Sequence, residues 1–137
     1  MSEQAQAARE FFRQGFNCAQ STAAAFAPAI GLDSALLLRA GTGFGGGIAD
    51  RKQTCGAVTG MLMAAGLLFG ADQPMAPEVK AEMTARMNRL IELFEAETGC
   101  ALCGDLLAKM PEGMEKRAYC GEIVYAAAAL LAREAGL

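Results

Sequence analysis

Five cysteines and not one histidine stand among the 137 residues, and this pairing narrows the available chemistry. Cys18, Cys55, Cys100, Cys103 and Cys120 offer thiolates, the form of sulfur that attacks disulfides and binds soft metals. Without histidine, Cys–His and Ser–His nucleophilic sites, Cys/His zinc fingers and His-ligated haem are excluded. The Cys-x-x-Cys-His pattern of covalent haem attachment is absent as well, so no haem is expected. The opening MSEQAQAARE has no charged stretch followed by an apolar one. A cytoplasmic location is therefore expected, where reductants disfavour structural disulfides.

The placement of the thiols suggests a shared site. Cys18 and Cys55 each fall at the start of a predicted helix, where free amides and the helix dipole favour a thiolate. Cys103 and Cys120 fall on the last two predicted helices, joined by a short loop, and can face one another. Any one of them, taken alone, reads as a small buried hydrophobe. As a set without disulfide context they read as a functional site. Cys100-Ala-Leu-Cys103 has the spacing of a chelate or a dithiol switch. The thioredoxin form needs a preceding strand, and a zinc ribbon needs a second such pair; neither is seen.

Other motifs carry less. Gly41, Gly43 and Gly46 match Gly-x-Gly-x-x-Gly, but no strand precedes them and no Lys-Ser/Thr follows. The run GTGFGGGIAD reads instead as backbone passing close to neighbouring helices or to a cofactor at Cys55. Asp50, Arg51 and Lys52 border the site or form a solvated turn. The eight methionines read as adaptable core filler.

The elements that must position these groups are helices. Ser2 to Gln14 is expected to form the first, capped by Ser2 and ended by Gly15. Asn17 caps the second, running from Cys18 towards Ala27 until Pro28 and Gly31 break it. Asp33 caps a short helix through Arg39. The fourth, Thr54 to Phe69, takes Thr54 as cap and Cys55 as first helical residue. Gly56, Gly60, Ala64 and Gly66 leave it a face nearly free of side chains, against which another helix can pack closely. Pro77 to Thr98 is amphipathic, with Val79, Met83, Met87, Leu90, Ile91 and Phe94 on one stripe and Gly99 as its end. A short helix in CALCGDLLAKM and a last one from Glu115 to Glu134 complete the chain. Tyr119, Ile123, Ala127, Leu130 and Leu131 face inward on the last, with Cys120 one position beside them.

The expectation is thus an all-α, single-domain bundle, residues 1–137, of six to seven helices. A 53% hydrophobic composition, poor in aromatics and rich in Ala, Leu, Met and Gly, fits packed helices. The net charge of −3 and the lack of any basic run argue against a nucleic-acid partner. The longest apolar run, Ala57 to Ala71, contains three glycines and falls short of the roughly 20 residues a membrane span needs. The Gly/Ala-rich faces are compatible with a homo-oligomer.

FNCAQS, then GFGGGI, CGAVTG and GLLFG, then TGCALCGDLL and a late Cys120 occur in one order. In this the chain resembles the C_GCAxxG_C_C family of redox-active proteins from Phe16 to Val124. The resemblance implies an all-helical domain and matches the four family cysteines to Cys18, Cys55, Cys103 and Cys120, and the motif glycines to Gly56 and Gly60. Cys100 looks like an addition: a resolving thiol, a spare ligand or neither. The family is similar to the cluster-bearing part of split-Soret-type cytochromes, and some members carry selenocysteine. The leading expectation is a small cytoplasmic redox protein whose four cysteines, Cys18, Cys55, Cys103 and Cys120, bind an iron–sulfur cluster, of the 2Fe–2S type, for electron transfer or redox sensing with an unidentified redox partner protein. Two alternatives stand beside it. One is a metal-free thiol–disulfide oxidoreductase with Cys55 as low-pKa nucleophile and Cys18 or another cysteine resolving. The other is a structural zinc site of four cysteines or a plain helical interaction module.

Overall fold

The computed structural model describes residues 2–137. Among them are eight α-helices and one 3-10 turn, with no strand beyond a single isolated bridge. The helices are α1 (Glu3–Arg13), α2 (Cys18–Ala24), α3 (Ala27–Ile30), α4 (Ser34–Ala40), α5 (Gly56–Phe69), α6 (Pro77–Thr98), α7 (Cys103–Ala108) and α8 (Lys116–Glu134). The extra helix arises where one was expected from Cys18 to Ala27. Pro28 lies in the first turn of α3, where its missing N–H costs no hydrogen bond, so it opens a helix rather than ending one. Gly31 ends α3 in the left-handed conformation.

Local chemistry sets the helix starts that matter for the site. Ser2 Oγ accepts from the Ala5 amide, as its capping role predicts. Asn17 forms a complete capping box: its side chain accepts from Gln20 N at 2.8 Å, and Gln20 Oε1 accepts from Asn17 N at 2.9 Å. Asn17 Nδ2 also donates to the Gly41 carbonyl at 3.2 Å, tying the glycine run to the first turn of α2.

The expected start of α5 needs correction. Thr54 does not cap it; Thr54 pairs with Leu102 in the isolated bridge, and Cys55 occupies the cap position with Gly56 as first helical residue. The Cys55 amide donates to the Ala101 carbonyl at 2.8 Å, and the Cys103 amide to the Gln53 carbonyl at 2.7 Å. Backbone pairing thus outcompetes the side-chain cap here, and it clamps the two cysteine-bearing segments side by side.

Helix α2 packs most extensively on α5, and α1 on α8. The α2–α5 contact is built on glycine. A Cβ at Gly60 would lie 2.6 Å from the Ala19 carbonyl oxygen, and one at Gly56 would lie 3.0 Å from the Cys18 Cβ. Gly66, expected on the same bare face, meets nothing within 4 Å. Replacing Gly66 with alanine is therefore expected to stabilise the protein by about 0.5–1 kcal/mol, because only the helix-propensity gain remains; urea unfolding reads this directly.

The core is alanine-rich, filled by Phe26, Met61, Leu90, Phe94, Leu130 and Leu131. On α8, Ile123, Ala127, Leu130 and Leu131 are buried as expected, and Tyr119 is half-buried. The expected stripe of α6 is buried at Leu90 and Phe94, whereas Val79 is 46% exposed. The periodicity is helical along its whole length, but residues 77–82 are all exposed, and packing on the body of the protein starts near Arg86 and Met87. No helix among the described residues is long and apolar enough to cross a membrane.

Candidate functional site

Each of the four expected cysteines sits where a helix begins or faces one that does. Cys18 opens α2, Cys55 stands at the cap of α5, Cys103 opens α7, and Cys120 lies in the second turn of α8. All four line one cavity of about 270 Å³, together with Phe12, Asn17, Gly46, Gly47, Leu106 and Ile123. Cys100 is not in this lining; it is half-buried against the main core, and its carbonyl accepts from Thr98 Oγ1. The Cys100/Cys103 pair is thus split, with only the second thiol at the cavity.

The glycine run forms one wall by an unusual backbone path. Gly46, Gly47, Ile48, Ala49 and Asp50 all have positive φ, a left-handed turn. Each non-glycine residue in such a turn costs roughly 1–2 kcal/mol, and Ile48, at φ 68°, is β-branched. Amides of Ala49, Asp50, Lys52 and Gln53 close the turn onto the carbonyls of Gly43, Gly45, Gly46 and Gly47. Gly47 cannot be otherwise: a Cβ there would lie 2.7 Å from the Cys103 Cβ and 2.6 Å from the Gln53 amide nitrogen. The close approach expected of the run is therefore an approach to a cysteine. Tyr119 ties the opposite wall together, its hydroxyl donating to the Leu106 carbonyl of α7 at 2.7 Å.

The thiols are electrostatically unequal. Cys18 and Cys120 share the cavity and interact thiol to thiol, the proton resting on Cys18. This hydrogen bond holds Cys120 down to about 7, against the cost of its burial and helped by the positive charges of Lys116, Arg117 and Lys52. The same bond, with burial and the neighbouring thiols, pushes Cys18 well above the ordinary thiol value. Burial pushes Cys55 up to about 11 despite the nearby amides of Ala57 and Val58. Burial also raises Cys103, opposed by Lys52 and Lys116. The expectation that Cys55 is the low-pKa nucleophile is thus corrected: it is only 6% exposed, and desolvation outweighs the helix terminus. The ready thiolate is Cys120.

Asp50 lines the cavity and pairs with Lys52, as the expectation that this turn borders the site allows. Lys116, Arg117 and Tyr119 were not singled out for the site from sequence. A signal existed, since Lys116 and Arg117 stand four and three residues before Cys120 and so share its helix face. Among the described residues, no group of three or more Cys, Asp or Glu side chains is gathered closely enough to hold a metal ion as it stands.

The family model described as "Putative redox-active protein (C_GCAxxG_C_C)" matches residues 16–134. No curated protein and no solved structure matches the chain.

Proposed function

The chain belongs to the C_GCAxxG_C_C family of redox-active proteins, and from that premise we propose that Cys18, Cys55, Cys103 and Cys120 hold an iron–sulfur cluster in a small cytoplasmic electron-transfer or redox-sensing protein. The observation that carries this reading is the convergence of all four thiols on one cavity. The donor set is right in kind: sulfur alone satisfies an iron–sulfur cluster, and four thiolates suffice. No three Cys, Asp or Glu side chains among the described residues are gathered closely enough for a metal ion as they stand, so binding a cluster would draw the thiols together. Lys116 and Arg117 at the cavity offset the negative charge such a group brings. When bound, it would supply one-electron chemistry. The chain's own residues would bind it, exclude water through Phe12, Leu106 and Ile123, and set its surrounding charge.

Oxygen-free reconstitution with iron and sulfide tests this. The expected product has visible sulfur-to-iron absorption and about two irons and two sulfides per chain. A chain that retains neither iron nor sulfide after desalting overturns it.

The interaction between Cys18 and Cys120, two thiols of one cavity, favours a second reading, a dithiol–disulfide couple. The Cys120 thiolate would attack a partner disulfide, forming a mixed disulfide and releasing one partner thiolate. Cys18, giving up its proton, would then displace the second partner thiolate and close the Cys18–Cys120 bond. The two thiols are oxidised and the partner disulfide is reduced to two thiols.

A further inference from the structure

We propose that the arginine-lined groove between α1 and α8 and the cationic rim of the sulfur cavity form one docking surface for an acidic redox protein. The inference rests on the redox reading of the site, but not on which cofactor the thiols hold. The groove, about 520 Å³, is lined by Arg9, Arg13, Arg117 and Glu122, and it shares Phe12 and Arg117 with the sulfur cavity. The two therefore adjoin across the Phe12–Arg117 stack, and a protein seated on the groove has its edge beside the thiols.

The charge is local and against the trend of the chain. Around the two cavities stand Arg9, Arg13, Lys116 and Arg117 against Asp50 and Glu122, with Glu10 paired to Arg13 and Lys52 to Asp50, while the whole chain carries −3. An acidic partner is thus attracted to this face and repelled by the remainder, which orients the encounter as well as speeding it.

Two of the cations, Arg9 and Arg117, are held in place without being neutralised. The Arg9 guanidinium lies 4.1 Å from the Tyr125 ring centroid, and that of Arg117 lies 3.8 Å from the Phe12 centroid while donating to the Phe12 carbonyl. Arg9, Lys116 and Arg117 enter no ion pair among the described residues; Arg13 pairs with the exposed Glu10. Stacking removes conformational freedom that binding would otherwise have to remove. Arg9 and Arg13 are one helical turn apart on α1, about 6 Å along the axis, and Arg117 stands on α8. Cations spread over two helices match several carboxylates on a surface better than one small anion.

The test is binding of an acidic plant-type ferredoxin, with basic cytochrome c as counter-probe. Dissociation constants are measured on the metal-free and the reconstituted chain at about 20 mM and about 300 mM salt. Failure to load a cluster therefore leaves the binding measurement intact. The expected result is saturable ferredoxin binding at low salt, weakened about tenfold or more at high salt and by Arg9→Glu/Arg13→Glu, with cytochrome c bound less tightly. Arg39→Glu/Lys80→Glu, the same change of charge at exposed sites on α4 and α6, should alter it less than about threefold. Absence of ferredoxin binding at low salt overturns the proposal. So does equal weakening by the two double variants, or tighter binding of cytochrome c. The salt dependence of the wild-type chain stands even if a variant fails to fold.

Discussion

Replacing Gly60 with valine is expected to destabilise the protein by about 3 kcal/mol, the upper part of the usual range for overpacking. A Cβ at this position would sit 2.6 Å from the Ala19 carbonyl oxygen, 3.0 Å from the Ala19 Cα and 3.1 Å from the Thr22 Cβ. Two of those atoms are backbone, so no rotamer change relieves the clash; α2 itself must move. Valine, with one strongly preferred χ1 in a helix, cannot turn its methyls aside either. The propensity gain over glycine, below about 1 kcal/mol, offsets little of this. For a chain of this size the change corresponds to a fall in Tm of about 10 °C. The site should suffer with the fold, because α2 carries Cys18, and Gly56 already brings the Cys18 Cβ close to α5. Thermal unfolding and cluster loading should therefore decline together. A wild-type melting temperature in Gly60→Val would mean that α2 does not lie on α5 as described. The contrast with Gly66, six residues along the same helix and expected to gain from alanine, makes the pair a test of contact rather than of composition.

That contrast also shows how far the sequence could be read. Gly56, Gly60 and Gly66 are alike in the sequence, but at about 100° per residue Gly56 and Gly60 share a face while Gly66 is turned about 120° from Gly60. Counting turns would have separated Gly66 from the other two; the position of α2 decides that the Gly56–Gly60 face is the one that is filled. Signals that act within one turn were legible: the Asn17 capping box, the Ser2 cap, Gly99 in the left-handed conformation at the end of α6. Helix starts singled out Cys18 and Cys55, and the family pattern added Cys103 and Cys120; these four line one cavity. What escaped depends on distant partners. Thr54 has the right chemistry for a cap but is taken by Leu102, 48 positions away along the chain. The start of α6 around Val79 has the right period but lies exposed. The left-handed turn through Ile48 contradicts the local preference of that residue, and its reason is the approach of Gly47 to Cys103. The error over Cys55 has the same origin, since a helix terminus is visible in sequence and the degree of burial is not.

Replacing Cys18 with alanine is expected to move the thiolate chemistry of the metal-free chain more than any other change that leaves Cys120 in place. The hydrogen bond from Cys18 is the largest influence holding Cys120 at about 7. Without it, Cys120 should titrate nearer the ordinary thiol value of about 8.5. At pH 6 the thiolate fraction then falls about thirtyfold. Each remaining thiolate is more nucleophilic, by about fivefold at a Brønsted slope of 0.4–0.5, so the net alkylation rate drops about sixfold. Above pH 9 both chains are largely ionised there, and the variant should react faster. The two pH–rate profiles must cross, which separates loss of the hydrogen bond from a simple change in access; access scales the whole profile without moving its midpoint. Stability carries the same signature. A thiol whose folded pKa is depressed stabilises the fold above its unfolded value and loses that contribution as pH falls through about 7. The wild-type chain should gain stability between about pH 7 and 8.5 relative to Cys18→Ala; above that the raised Cys18, which the variant lacks, acts in the opposite sense. Parallel profiles, with Cys120 still titrating near 7, would show that Lys116 and Arg117 suffice to hold the thiolate. The interaction between the two sulfurs would then lose its claim to be a redox couple.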